Sequence, residues 1–393
     1  MRFVVAGYGS RGDVEPCIAV GRELLRRGHD VLLAVTVPAA MHAFVESAGL
    51  VAVPYGRDWQ EQLRDEDFVR MIQNPTNAIG EAIEYVTHAL TDKSTTLKSL
   101  TAGADLLVAG ITEQSLAANV AEYYGIPLAA LHFFPPQILE LTSRPGGVTK
   151  AAQVAQRRAL GLPEATGPSP RPLEIQTYDE LCFTRLEAEW AHQDSRRPFV
   201  GALTVELPTD ADDDVLSWIA AGTPPIYFGF GSTPFASAAD TIALIGAACI
   251  QLGERALICL GPNDDALTPH PDHVKVVRAV KGAAVFPACH AIVHHGGAGT
   301  TAAGLRAGIP TLILWNGLDQ PLWAAAVEYL KVGVGRRFSE TSQESLVADL
   351  RFILTAQYAI RAREVAAQMT KPAESIATTA DLLEETARRG REP

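Results

Sequence analysis

At 393 residues, 47% of them apolar, and with a formal charge of −12, the chain exceeds one ordinary core, so two domains of about 150–200 residues are expected. The acidic balance excludes a nucleic-acid partner, which needs a basic face, and any general attraction to anionic lipid, leaving peripheral membrane contact to a local basic patch. Five cysteines (Cys17, Cys182, Cys249, Cys259 and Cys289) without a C-x-x-C pair argue against a disulfide framework or a zinc site and fit a reducing, cytoplasmic setting.

Arg2-Phe3-Val4-Val5-Ala6 reads as a buried parallel strand rather than a secretory leader. No apolar run approaches the roughly 18 residues that span a bilayer. Gly7-Tyr8-Gly9-Ser10-Arg11-Gly12 matches G-x-G-x-x-G, and Pro16 with the run Ile18 to Arg27 predicts a helix from near Val14. Val31 to Val35 is the next strand, completing a βαβ opening. A dinucleotide site needs an acid about 20 residues beyond the glycines, but this strand runs into Thr36-Val37-Pro38. Asp13 has two readings: a helix N-cap, or a reactive carboxylate at the carboxyl end of the first strand, where doubly wound sheets bind ligands.

Trp59 to Leu100 is mixed, with helical patches broken at Asn74-Pro75. Asp105 to Gly110 and Pro127 to His132 are further strands, with helical spacing from Thr112 to Tyr124 between them, the alternation of a parallel α/β sheet. His132, Phe133 and Phe134 end a strand and are candidates for contact with an apolar ligand, with simple packing the equal alternative. Residues 135–175 are the least legible, marked as loops by Pro135-Pro136, Pro145-Gly146-Gly147 and Gly167-Pro168. The acidic, turn-rich Pro208 to Asp214 suits a surface linker, placing the junction at 201–222. The predicted division is then 1–200, a linker 201–222, 223–370 and a charged helical tail 371–393. Pro225 to Gly229 restarts the α/β pattern, and Gly229-Phe230-Gly231-Ser232-Thr233 repeats the first glycine turn. Strands follow at Ala256 to Leu260, Val274 to Val277, Ala291 to Val293 and Thr311 to Leu314. Helical spacing returns at Leu346, Leu350, Ile353 and Leu354.

The most informative stretch is Ala291-Ile292-Val293-His294-His295-Gly296-Gly297-Ala298-Gly299-Thr300-Thr301. Strand, glycine-rich turn and helix start present free backbone N–H groups and the positive end of a helix dipole. A phosphate fits such a place, and glycine lets the backbone approach it closely. The alternative is an ordinary tight turn.

His295-x-Gly297-x-x-Thr300, followed by Gly308-x-Pro310 and Asp319-Gln320, resembles the donor signature of family 1 glycosyltransferases. Gly9-Ser10-Arg11-Gly12-Asp13-Val14-Glu15-Pro16 is similar to the actinobacterial branch, including the vancomycin-type and mycobacterial glycopeptidolipid-type enzymes. The resemblance spans nearly the whole chain and is weakest around 135–160, where those proteins carry a longer acceptor-side segment; either this enzyme is shorter or a loop is absent. It implies an α/β GT-B fold, with two Rossmann-like domains facing across a cleft and a tail crossing back onto the first.

The resemblance also implies an inverting transfer from a UDP- or dTDP-sugar to a hydroxyl of a lipophilic or glycopeptidolipid-like acceptor. Asp13 would be the general base. Ser10, Arg11, Gly12, Gly231, Ser232, Ala279, Val280, His295, Gly297, Gly299 and Thr300 would hold the donor, and Asp319 and Gln320 the sugar hydroxyls. His132, Phe133 and Phe134 fall on the acceptor side, and His294 stands behind the contacts. No metal or other cofactor is required, because backbone donors and the dipole do the metal's work. Two departures bear on this: no histidine stands near the first strand to form a base dyad, and the ribose-binding Glu of plant relatives is Ala303, compatible with a dTDP donor. An epimerase on the same fold and a non-catalytic nucleotide-sugar binder are the competing readings.

Overall fold

The computed structural model describes residues 1–36, 39–56, 79–135, 148–163, 172–184, 197–205, 211–231, 237–261 and 270–391. The chain divides into two compact units. One comprises Met1–Tyr178, Glu187–Val205 and Pro372–Pro393; the other comprises Asp179–Leu186 and Glu206–Lys371.

Each unit is built on a six-stranded sheet in which every pair is parallel. The first contains β1 (Arg2–Tyr8), β2 (Asp30–Thr36), β3 (Ala52–Val53), β4 (Leu106–Ala109), β5 (Leu128–His132) and β6 (Leu173–Gln176). Their order is β3-β2-β1-β4-β5-β6. The second contains β7 (Ile226–Gly229), β8 (Ala256–Cys259), β9 (Val274–Val277), β10 (Ala291–His294), β11 (Thr311–Trp315) and β12 (Gly333–Arg337). Their order is β12-β11-β10-β7-β8-β9. Both follow one plan: start in the middle, build outward on one side, then return and build outward on the other. The order reverses between β1 and β4, and between β7 and β10, and sheets of this kind bind ligands at the carboxyl ends beside such a reversal. The two Rossmann-like parallel sheets implied by the motifs are thus observed, one in each unit.

The central strands are buried on both faces, which is why they read as unbroken apolar runs: Phe3, Val4 and Val5 in β1 and Ala291, Ile292 and Val293 in β10 have no exposed surface. In the second unit one core lies on each face, one around Phe228, Ile258, Val293 and Leu350, the other around Tyr227, Leu257, Phe286 and Ile292. All five cysteines are unpaired, and burial pushes the Cys17 thiol up to about 12. Among the described residues no helix is long and apolar enough to cross a membrane.

The stretch 201–222 divides between the two units at Val205 and Glu206, and its residues 206–210 lie outside the described residues. Val205 belongs to the first unit, where its amide donates to Glu15 at 3.0 Å. Ala211–Ala220 is a helix of the second, carrying Asp212, Asp213 and Asp214 in its first turn, where the dipole favours carboxylates. Val215 and Ile219 bury its inner face. Asp212, Asp213 and Asp214 of the acidic run thus form a helix N-terminus. The tail helix, Pro372–Arg389, belongs to the first unit and is tied there by Arg27 to Asp381 at 2.6 Å and His29 to Glu384 at 2.9 Å.

Candidate active site

In the second unit His294 pairs with Gly229 in register, so the glycine turns leaving β10 and β7 lie side by side at the reversal. The chain turns at Gly296 with φ +92°. A Cβ there would sit 2.8 Å from Ile313 Cγ2 and 3.1 Å from Gln320 Cβ, so both conformation and space demand glycine. The turn enters the helix Ala298–Ala307, whose N-cap is Gly297, with no side-chain capping bond and no acid in its first turn. The amides of Ala298, Gly299 and Thr300 are therefore left at the positive end of the dipole without a built-in acceptor. The backbone at Gly299 faces open space, and Thr300 is half-buried beside it.

The His295 ring lies between Gly231 and Gly297. A Cβ on the first would come 2.7 Å from Cε1, and one on the second 2.6 Å from Nε2. Burial holds the imidazole below the usual histidine range, opposed by the Gly229 backbone, and its buried Nδ1 has no hydrogen-bond partner. Asp319 and Gln320 adjoin this turn through the Gln320–Gly296 contact. Gln320 Oε1 accepts from the Asn316 amide at 2.8 Å, and Asp319 Oδ2 from the Trp323 indole at 3.2 Å. Just before them Leu318 takes φ +58° and is 82% exposed. Ala279 and Val280 follow β9, separated from β7 by β8; Val280 packs into the apolar core there. Ser232 lies outside the described residues.

In the first unit the turn after β1 caps the helix Arg11–Arg26. Ser10 is the N-cap and Asp13 the third helical residue, so the reading of Asp13 as the N-cap is corrected by one turn. Oδ2 of Asp13 accepts from the Ser10 amide at 2.7 Å and from its hydroxyl at 2.8 Å, the reciprocal half of a capping box. Gly9, at φ +131°, makes room: a Cβ there would lie 2.4 Å from Asp13 Oδ2. Burial raises the Asp13 pKa, the Ser10 hydrogen bonds oppose it, and the Glu113 charge adds to the rise. Gly12 is exposed and has no comparable constraint. Arg11 pairs with Glu15 at 2.9 Å and lies over the Phe44 ring at 4.8 Å.

Sequence reasoning missed the charged cluster beside this turn. Glu113, 2% exposed, follows β4 on the other side of the reversal. It accepts from Tyr55 Oη at 2.5 Å and from Lys93 Nζ at 2.6 Å, and the ammonium lies 3.7 Å from the Tyr8 ring centroid. Burial lowers the Lys93 pKa while Glu113 pulls it back. The signal was present: Glu113 stands just after the glycine exit of β4, as Asp13 does after that of β1. On the strand next to β4, His132 ends β5 only 3% exposed, with neither ring nitrogen hydrogen-bonded among the described residues and its pKa pulled down to about 4 by burial and then by the Arg197 charge. Phe133 and Phe134 meet edge to face at 5.1 Å; Phe134 is packed inside. Among the described residues no group of three or more His, Cys, Asp or Glu is placed to hold a metal ion.

Residues 3–139 match the model of the glycosyltransferase family 28 N-terminal domain. Residues 251–384 match that of the erythromycin biosynthesis protein CIII-like C-terminal domain. An uncharacterized glycosyltransferase of Mycobacterium tuberculosis is 58% identical over 420 aligned positions, covering all of both chains; the alignment includes positions with no counterpart in these 393 residues. Glycosyltransferase GtfE of Amycolatopsis orientalis is 28% identical over 98% of this chain and 97% of its own. The crystal structure of glycosyltransferase VinC in complex with dTDP superposes with a TM-score of 0.69 at 18% identity, covering 99% of this chain and 100% of the other. Similarity of this depth along the entire length, on a sheet plan that matches and with the glycine turns at both reversals, places the chain in the family: it is a GT-B glycosyltransferase of the actinobacterial branch.

Proposed function

We propose that the enzyme transfers a sugar, with inversion, from a UDP- or dTDP-sugar to a hydroxyl of a lipophilic or glycopeptidolipid-like acceptor. The observation that carries the donor half is the uncapped helix Ala298–Ala307 at the β7/β10 reversal, its first-turn amides open and His295 set beside them. Donors fixed before the reaction stabilise the charge that develops on the leaving diphosphate, the role a metal would otherwise fill. The dTDP bound to VinC supports a thymidine nucleotide, and Ala303 in place of a ribose-binding acid is compatible with one. Asp319 and Gln320, next to the phosphate turn, are the candidates for the sugar hydroxyls, and Ala279 with Val280 for the base.

The first unit supplies the base. Asp13 is a carboxylate at a strand's carboxyl end with its pKa raised toward working pH, as general-base catalysis requires. The orphaned His132 nitrogens suit a hydroxyl-bearing acceptor, since a buried polar group without a partner is costly until one arrives. Donor turnover with and without a library of hydrophobic phenols, sterols and hydroxylated lipids tests the reading. Asp13→Asn should retain donor binding and lose about 10²–10⁴-fold in transfer. Transfer at the wild-type rate would remove Asp13 from the mechanism. Donor conversion to an epimer without acceptor would overturn the transferase assignment of this site.

A further inference from the structure

His294 is the one histidine of the phosphate turn that the donor contacts leave without a role. It is completely buried at the end of β10, with its Cα in register with Gly229 of β7 on one side and Ile313 of β11 on the other. Its Nδ1 accepts a hydrogen bond from the Gly296 amide at 3.0 Å. An imidazole nitrogen that accepts carries no proton, so the proton of the neutral ring stands on Nε2. That Nε2 is buried without a partner among the described residues, a sacrifice that packing alone does not call for.

We propose that His294 is a positioning residue for diphosphate recognition: its neutral Nε2–H tautomer holds the Gly296 amide inward and so sets the path by which the backbone enters the helix Ala298–Ala307. The inference rests on the reading of that helix N-terminus as the diphosphate site. Three observations support it. Gly296 sits at φ +92°, a conformation that must be held from outside the residue. Its amide, turned toward His294, is withdrawn from the ligand, so the free donors begin at the helix proper. The ring is confined to the neutral state, because burial, and then the His295 charge, press its pKa well below the histidine range; a protonated Nδ1 would repel the Gly296 N–H.

The test uses the full-length protein with UDP and dTDP as probes. Asn places an oxygen where Nδ1 stands, Gln places its amide nearer Nε2, and Leu fills the space with neither. His294→Asn is expected to bind both nucleotides within about threefold of wild type, and His294→Leu on the order of tenfold or more weakly, because a buried amide loses its acceptor. His294→Gln should resemble Leu, and the Asn–Gln contrast keeps the test intact should the Leu variant fail to fold. Long-range proton–nitrogen correlation of the imidazoles should show an unprotonated Nδ1 and a protonated Nε2 at His294 in the free enzyme. Wild-type affinity in His294→Leu, equal affinity in the Asn and Gln variants, or a protonated Nδ1 would each overturn the proposal. If the wild-type enzyme binds neither nucleotide, the reading of the turn itself fails.

Discussion

Asp13 Oδ2 accepts two bonds from Ser10, which favour its charge, yet burial outweighs them and the pKa rises from the ordinary 3.8. A carboxyl raised on folding contributes stability that is complete below its unfolded pKa and is lost as pH rises through the folded one. At pH 7 the wild-type enzyme therefore carries a folding penalty at this carboxyl. Asn can keep the Ser10 amide bond without that charge. We expect Asp13→Asn to melt at or above the wild-type temperature at pH 7, with the difference closing as pH falls below the ordinary carboxylate range. A variant less stable at pH 7 would show that the capping box outweighs desolvation. His295 works in the opposite direction. Its pKa is lowered by burial, so the free enzyme holds it neutral at pH 7, and an arriving diphosphate favours the protonated ring. Donor affinity should therefore strengthen as pH falls toward the depressed pKa. His295→Ala should weaken UDP and dTDP binding by about 1.5–3 kcal/mol, the range for hydrogen bonds to charged groups, and flatten the pH dependence. Calorimetric titration between pH 5 and 8, by order of magnitude the histidine window, checks both.

The helix Ala298–Ala307 is seated against β10 by a missing side chain. A Cβ on Gly304 would come 2.1 Å from Ile292 Cδ1, and Ile292 is wholly buried. Helix propensity alone would make Gly304→Ala stabilising by up to about 1 kcal/mol, but overpacking a filled core costs about 1–3 kcal/mol. We expect the clash to win, with a net loss of stability in denaturant titration and weaker nucleotide binding as the helix start shifts away from the turn. A stabilised variant with unchanged binding would show that Ile292 yields freely. No reading of the sequence foresaw this, because Gly304 lies among good helix formers and the demand comes from another strand. The same division runs through the fold. Strands buried on both faces, such as Phe3 to Val5 and Ile292-Val293, were legible because burial leaves a continuous apolar run. Gly333–Arg337 and Leu173–Gln176 were not read as strands: the first carries two arginines and two glycines, the second two polar residues, and both lie at sheet edges. The glycine-rich turn after β10 was legible as a turn because Gly296, at φ +92°, leaves no room for a side chain. Lys93, Tyr55 and Glu113 were not, because they converge from three distant places in the chain.

Each unit has its own sheet and core, so ligand linkage is first felt in the unit that binds. At a hundredfold excess over Kd, a nucleotide adds about 2.7 kcal/mol to the stability of the state that holds it. That corresponds to roughly a hundredfold slower exchange for amides that open only when the whole unit unfolds. With saturating UDP or dTDP, hydrogen exchange should slow in the core strands β7, β10 and β11, and most at the open amides of Ala298, Gly299 and Thr300. The core strands β1 and β4 of the other unit should exchange as before. The turn at Ser10, Arg11 and Gly12 reports separately: slowing confined there would support its place among the donor contacts, and none would remove it. Equal protection in both sheets would mean that the two units unfold as one cooperative body, and the local linkage argument would fall. Unchanged exchange at residues 298–300, with binding verified calorimetrically, would move the diphosphate away from the helix start. That outcome would leave the glycine turn as a packing device for His295, and the donor site of this glycosyltransferase would have to be sought elsewhere on the second unit.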